Sequence, residues 1–321
     1  MGLLAVIWAN LFAAMIAVFT FTAPGPLVIG GLWVVGLCAL FGRKNRLTGT
    51  TLLAPWYWSL AALAALGGSE MAIAIAADAP RAEWAMPLRF AAAMTTFCPL
   101  MALLGAKRPQ DRAWQFIVFS LWIVLGLPSF EWLLFGGVAE IHPARFWFLV
   151  VLTLIGATNG LTTRYWPSGL LFAGGQLALL APFLTSGQVP LPAEVTGSLG
   201  LAAMVLAWGL VALEFPPARR ASNPLDRVWR DFRDLYGVVW ALRIAERMNA
   251  SATLYSWPVR LDWRGFRDRE TDQPVAEVPE AVAESLRSLL RRFVSPEWIA
   301  ARLEGPAGTG STEAAKTSTG T

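Results

Sequence analysis

The chain has 321 residues, of which 55% are hydrophobic and only 15% are charged, and its mean hydropathy is +0.50. Soluble domains carry about 25% charged residues, so this composition excludes an ordinary water-soluble globule. It also excludes a disordered, a collagen-like or a disulfide-stapled chain. The sequence therefore predicts an all-α integral membrane protein with a soluble C-terminal tail.

The cysteine and histidine counts exclude most metal and redox chemistry. Cys38 and Cys98 lie far apart inside apolar runs and form neither a CxxC pair nor a zinc-ligand spacing. The single histidine, His142, excludes paired-histidine haem ligation and an HExxH zinc site. Neither a phosphate-binding GxxxxGK[ST] loop nor a glycine-rich dinucleotide fingerprint occurs. We expect no cofactor and no metal.

Eight apolar segments approach the length that a membrane-spanning helix needs, about 20 residues. They are 3–23, 26–42, 52–77, 85–106, 114–135, 145–165, 168–185 and 196–215, and the second and seventh are the shortest. Only helices and closed barrels satisfy their backbone hydrogen bonds in lipid, so continuous apolar runs predict helices. Pro99 and Pro128 fall inside spans and are expected to kink them.

The first apolar run has no basic segment before it, which favours an uncleaved first helix over a signal peptide. Arginine is abundant whereas lysine occurs only as Lys44, Lys107 and Lys316. Together with the high alanine and glycine content, this bias suggests a GC-rich bacterial genome. We therefore expect a protein of the bacterial inner membrane.

Orientation follows from the loops that carry arginine and lysine. Basic residues concentrate in the alternate connections 43–51, 107–113 and 164–167 and in the C-terminal third, whereas the other connections are poor in them. By the positive-inside rule, these loops face the cytoplasm. The N-terminus and the C-terminal tail are then cytoplasmic as well.

The composition changes sharply at Pro216-Pro217, because 16 of the 26 basic and 14 of the 22 acidic residues follow. We divide the chain into a helix bundle (1–217), an amphipathic helical cytoplasmic domain (218–304) and a disordered tail (305–321) rich in Gly, Thr, Ser and Ala. The middle segment is small for an independent core. It is expected to pack on itself, on cytoplasmic loops or on a partner, or to lay its basic, tryptophan-bearing helix on the lipid surface. Its charge does not imply nucleic acid.

The cytoplasmic domain begins with Ser222-Asn223-Pro224, which is typical of a helix start, and the helix is expected to reach about Asn249. Its apolar stripe is a candidate partner-binding face. The stripe consists of Leu225, Val228, Trp229, Phe232, Leu235, Val239 and Leu242. Residues 259–263 alternate with a period of two, which indicates either a short strand without an evident partner strand or an extended segment. Helices are expected over about 279–294 and from Ser295-Pro296 to Leu303.

Ionisable side chains within spans are the leading candidates for a functional site. The predicted topology places Glu70 near the outer end of the third span and Arg89 at a similar depth in the fourth, so an ion pair is plausible. The candidate outer cluster is Glu70, Arg89, Glu131, Glu140, His142 and Arg145. It is either an entry site for a substrate or proton, or a set of charges at ordinary helix ends near water.

Polar and small residues nearer the middle of the spans form a second candidate set. Asn10, Asn159 and Gln176 are the polar candidates, and their side chains either hydrogen-bond across helices or line a ligand site. The candidate helix-packing positions are Gly156, Gly160, Gly174 and Gly175.

Three classes of function remain open on the sequence. The first, which we favour, is a non-enzymatic accessory or assembly subunit of a membrane complex, held to a membrane-protein partner through the tail. The second is a secondary transporter or ion-coupled permease with its polar site near the outer face. The third is a membrane enzyme on a lipid or polyprenyl substrate, with Glu70 or Glu131 as acid or base.

The loop charges predict the side of the membrane on which the C-terminus lies. A green fluorescent protein fused after Thr321 should fluoresce, and alkaline phosphatase fused there should be inactive, because only a cytoplasmic fusion gives that combination. Fusions after Pro190, in a basic-poor loop, should give the reverse. Active phosphatase after Thr321 would refute the orientation.

Overall fold

A computed structural model describes residues 24–76, 83–136, 141–183, 193–218 and 221–304. The chain separates into two compact units. One lies within Met1–Leu47 and Thr51–Ala218, and the other within Thr48–Thr50 and Arg219–Thr321. The predicted first span, 3–23, and the predicted disordered segment, 305–321, lie outside the described residues.

The first unit is a bundle of helices joined by short connections. They are α1 (Pro26–Arg43), α2 (Leu53–Ile75), α3 (Ala85–Thr95), α4 (Cys98–Leu104), α5 (Asp111–Phe135), α6 (Pro143–Leu161), α7 (Trp166–Leu180) and α8 (Ala193–Ala212). Helix α2 packs against α1, α3, α4 and α8, and α7 packs against α3, α6 and α8. These two helices carry Glu70 and Gln176, two of the buried polar side chains of the bundle.

Six helices in the described ranges are long and apolar enough to cross a membrane, so the chain has the architecture of an all-α membrane protein. They are Pro26–Leu47, Leu53–Ile75, Ala85–Leu104, Asp111–Phe135, Pro143–Leu161 and Val195–Ala212. The predicted count of eight is not confirmed. The predicted seventh span is the 15-residue helix α7, which is about 22 Å long against an apolar bilayer core of about 30 Å.

The two prolines predicted to kink spans behave differently. The fourth span is divided, because α3 ends at Thr95 and α4 begins at Cys98, immediately before Pro99. Proline lacks the N–H that would continue the hydrogen-bond ladder. Helix α5, in contrast, runs through Pro128 without a break in its assignment.

The second unit contains α9 (Pro224–Leu254), the strands β1 (Val259–Asp262) and β2 (Gly265–Asp268), α10 (Glu280–Leu290) and α11 (Pro296–Leu303). The strand predicted at 259–263 does have a partner. It pairs antiparallel with β2 in a hairpin whose register runs from Val259 opposite Asp268 to Asp262 opposite Gly265. The loop residues Thr48–Thr50 belong to this unit, where the Ser295 N–H donates to the Gly49 carbonyl oxygen at 2.6 Å.

The start of α9 and the hairpin are tied together by backbone-capping side chains. Asn223 caps the helix by accepting a hydrogen bond from the Asp226 N–H at 2.7 Å. The Asp226 carboxylate in turn accepts one from the Phe266 N–H at 2.7 Å. Burial raises the pKa of Asp226, although the Phe266 N–H opposes that shift. Gly265, at φ +136°, leaves the space that this carboxylate occupies.

The apolar stripe of α9 forms the core of the second unit, which corrects its interpretation as a partner-binding face. Leu225, Val228, Trp229 and Phe232 are buried, and the Trp229 indole N–H donates to the Asp262 carbonyl oxygen at 3.0 Å. Leu235 and Val239 are half-buried, and Leu242 is 48% exposed. The stripe loses its register because the helix is interrupted at Gly237, which adopts φ 76° and ψ −174°.

The difference in burial along this stripe predicts a difference in stability. Trp229→Ala should lower the free energy of unfolding of the second unit by about 3–5 kcal/mol, the usual cost of removing a fully buried tryptophan. Leu242→Ala, on the same helix, should change it by no more than about 0.5 kcal/mol. Limited proteolysis of the full chain in detergent, following the release of tail fragments, measures both. Equal protection of the two variants would contradict the burial.

Candidate functional site

The most enclosed charged groups of the described bundle are Glu70 in α2 and Arg89 in α3. The Arg89 Nε donates to Glu70 Oε1 at 2.8 Å, and Nη2 donates to Oε2 at 3.1 Å. The arginine side chain is 6% exposed and the glutamate side chain 1%. The two parallel hydrogen bonds match the planar guanidinium fork to the carboxylate, which is the strongest geometry for such a pair.

Helix α8 covers the Glu70 carboxylate at a glycine. A Cβ atom at position 197 would overlap the Glu70 carboxylate. Only glycine therefore lets α8 approach this closely. Three helices enclose the pair: α2 supplies the carboxylate, α3 supplies the guanidinium, and the backbone of α8 covers the carboxylate.

The residue that follows Arg89 belongs to a cluster of aromatic rings. Phe90, the residue after Arg89, meets Trp132 of α5 edge-on at 5.2 Å and Phe183 edge-on at 5.0 Å between ring centroids. Trp132 and Phe183 stack at 6.0 Å. Phe90 and Phe183 are fully buried. Glu70 and Arg89 are themselves buried, so their charges depend on each other for solvation.

The other members of the predicted outer cluster do not join the pair. Glu131 and His142 are exposed, and Arg145 is half-buried. The His142 Nδ1 accepts a hydrogen bond from the Ala144 N–H and caps α6. Glu140 lies outside the described residues. Within the described part of the chain, no hydrogen bond or ion pair links Glu131, His142 or Arg145 to Glu70 or Arg89.

The polar residue predicted in the seventh span lies at the break in the fourth. Gln176 of α7 is 5% exposed, and its amide donates to both the carbonyl oxygen and Oγ1 of Thr96 at 3.3 Å. Thr96 lies between α3 and α4, where its carbonyl has left the regular ladder. Trp122 donates to Oγ1 of the preceding Thr95 at 2.9 Å. Asn159 is also buried, and Asn10 lies outside the described residues.

Three of the four predicted packing glycines lie at close helix approaches. Gly175 of α7 faces Gly200 of α8, where a Cβ on Gly175 would lie 3.1 Å from the Gly200 carbonyl oxygen. A Cβ on Gly160 would lie 3.8 Å from the Gly169 Cα, and one on Gly156 would lie 2.9 Å from Leu100. Gly174 differs, because a Cβ there would have no neighbour within 4 Å.

The sequence interpretation did not identify a second charged cluster, in which Glu214 pairs with Arg43 and Arg46. Its residues lie at the opposite end of α2 from Glu70. In the sequence, Arg43 and Arg46 indicated only which side of the membrane their loop faces. The signal that could have revealed the cluster is the isolated Glu214 at the end of the eighth apolar segment, since the charged residues of the connections 43–51 and 164–167 are all basic.

No group of three or more His, Cys, Asp or Glu residues in the described ranges is placed to hold a metal ion. Comparison of the chain with family models, with curated proteins and with solved structures found no match. The function must therefore be argued from the geometry.

Breaking the buried pair from one side should be costly. Glu70→Ala leaves the Arg89 charge enclosed without its counter-ion, and we expect a loss of about 3–5 kcal/mol in unfolding free energy. The double change Glu70→Met with Arg89→Met removes both charges and should restore most of that stability. Glu131→Ala, at an exposed position, is the control and should have little effect. Thermal unfolding in detergent measures all three, and equal losses for Glu70→Ala and Glu131→Ala would contradict the assignment.

Proposed function

We propose that this chain is a non-enzymatic accessory or assembly subunit of a complex in the bacterial inner membrane. In this proposal the bundle is a rigid scaffold, and the second unit is a cytoplasmic module that binds another membrane protein. The sequence favours the same function. The binding surface differs, because the apolar stripe of α9 is largely buried and the exposed end of that helix takes its place.

The observation that carries the proposal is how the enclosed polar side chains are used. Glu70 and Arg89 hold each other in two hydrogen bonds, and Gln176 holds the helix break at Thr96. Glu70 is further covered by α8 at Gly197. Separating an enclosed pair costs several kcal/mol, so these groups are suited to fixing helices in place rather than to exchanging protons or ions.

The surface of the second unit supports a protein partner over a lipid surface. Residues 221–304 contain thirteen arginines and thirteen carboxylates, so the segment has no net attraction for anionic headgroups. Leu254 and Tyr255, adjacent at the end of α9, are 75% and 63% exposed. Tyrosine is among the residues that most often anchor protein interfaces, and Leu254 extends the exposed apolar surface beside Tyr255.

A transporter is the second candidate, and the divided span Ala85–Leu104 is the observation that favours it. Transporters use broken helices to place backbone carbonyls near a transported ion. Here the Thr96 carbonyl already accepts from Gln176. The enzyme hypothesis has less support, because Glu131 and His142 do not meet Glu70 in the described structure.

The accessory proposal is tested by recovering the full chain from native membranes through a C-terminal tag, in mild detergent, and weighing the complex by native mass spectrometry. A partner at fixed stoichiometry is expected. The double change Leu254→Asp with Tyr255→Asp should release that partner. Arg247→Asp, which places the same residue at an exposed position on the same helix, should retain it.

Recovery of the chain alone or as a homodimer would overturn the accessory proposal, as would equal behaviour of the two tail variants. A transporter makes a different prediction. Glu70→Gln should then abolish uptake while the amount of folded protein is unchanged, whereas the scaffold predicts loss of folded protein.

A further inference from the structure

Charged residues gather where α1, α8 and the connection before α7 come together. The Arg43 Nη1 lies 2.8 Å from Glu214 Oε1, and Arg46 pairs with the same carboxylate. The Arg43 Nη2 donates to the Tyr165 hydroxyl at 3.4 Å. Arg164 donates to that hydroxyl as well, and its guanidinium carbon lies 4.6 Å from the Tyr165 ring centroid. We call Arg43, Arg46, Arg164, Tyr165 and Glu214 the arginine cluster.

The arginine cluster has a large excess of positive charge. The segments that build it, 41–52, 159–168 and 209–218, contain four basic residues, Arg43, Lys44, Arg46 and Arg164, and one acid, Glu214. One carboxylate therefore faces two paired guanidinium groups, and a third guanidinium lies against the same tyrosine. An anion placed here would be attracted by the excess.

The arginine cluster lies at the ends of three helices. Arg43 is the last residue of α1, Tyr165 immediately precedes α7, and Glu214 follows the end of α8 by two residues. The cluster thus lies where apolar helices end, at the level where a bilayer presents its phosphates. The Arg46 side chain is 62% exposed, so a ligand can reach it.

The backbone holds the central carboxylate in an unusual conformation. Glu214 has φ 55°, in the left-handed region that residues other than glycine rarely adopt. Its N–H donates to the Val211 carbonyl oxygen at 3.1 Å, and the next N–H donates to the Leu210 carbonyl oxygen at 3.0 Å. The turn thus keeps Glu214 where it can orient two arginines, and such strain is common at binding sites.

We propose that the arginine cluster binds a phosphate group, and that an anionic phospholipid headgroup supplies it. Guanidinium groups recognise phosphate oxygens through paired hydrogen bonds, and basic pockets between membrane helices bind anionic headgroups. Glu214 positions Arg43 and Arg46 for this contact, and the Tyr165 hydroxyl holds Arg164 beside Arg43. The bundle thereby selects lipids by headgroup charge.

The test measures lipid binding to the purified full chain by native mass spectrometry, with phosphatidylglycerol and phosphatidylcholine as probes. Phosphatidylglycerol should bind more tightly. The double change Arg46→Gln with Arg164→Gln, which leaves the more enclosed Arg43 in place, should weaken its binding roughly thirtyfold. Arg108→Gln with Arg112→Gln removes the same charge from another basic connection, at exposed positions, and should leave the affinity unchanged.

Thermal unfolding without added lipid verifies that the variants are folded. If the double variant Arg46→Gln with Arg164→Gln unfolds, the single change Arg46→Gln, at the more exposed position, replaces it, with Arg108→Gln as its control.

Adding inorganic phosphate distinguishes a lipid headgroup from a soluble phosphate as the source of the ligand. Displacement of phosphatidylglycerol by millimolar phosphate would retain the phosphate site but assign it to a soluble ligand. Equal binding of the two lipids without any effect of phosphate, or equal weakening in the control, would overturn the proposal.

Discussion

The pairing of Glu70 with Arg89 is the constraint on which the arrangement of the bundle depends. Neither charge can be solvated by lipid, so α2 and α3 must keep the depth and rotation that bring the carboxylate and guanidinium into contact. Gly197 then lets α8 approach the same carboxylate. A shift of one helix by a single turn, about 5.4 Å, would break both hydrogen bonds. The pair therefore fixes relative positions that apolar packing alone specifies poorly.

The second unit solves a different problem, that of enclosing enough apolar surface in a short segment. It does so by concentrating aromatic rings. The Tyr236 hydroxyl donates to the Phe293 carbonyl oxygen at 2.8 Å, and the Phe293 ring meets Phe232, Tyr236 and Trp240 at 4.9–5.3 Å between centroids. The Asn249 side chain attaches α9 to β1, because it accepts a hydrogen bond from the Leu261 N–H and donates one to the Leu261 carbonyl oxygen. The core and the hairpin thus depend on the same long helix.

Local patterns in the sequence predicted most of the helices but not what their faces touch. Hydropathy located Leu53–Ile75 well, because a span is defined by its own residues. It extended the seventh span to residue 185, because Ala181 and Phe183 are apolar although Pro182 cannot continue the helix. The strand β2, Gly265–Asp268, was missed because it has no apolar alternation. The stripe of α9 revealed a buried face, yet periodicity cannot tell whether that face packs in the unit's own core or against a partner.

The candidate site could be predicted from the sequence only in part. Glu70 and Arg89 lie at similar depths in consecutive spans, so their pairing could be expected. The contacts of Gln176 and Glu214 could not be expected, because their partners lie in helices that are distant along the chain.

The short separation of Glu70 and Arg89 along the chain has a consequence for biogenesis. Only 19 positions separate the two residues, and they belong to consecutive helices. Each of these helices inserted alone would carry an unpaired charge, which raises the free energy of its insertion. A pair of helices that leaves the translocon together can neutralise both charges before either helix meets lipid. Helices α2 and α3 are thus suited to enter the membrane as a hairpin, ahead of the distant α8 that later covers them.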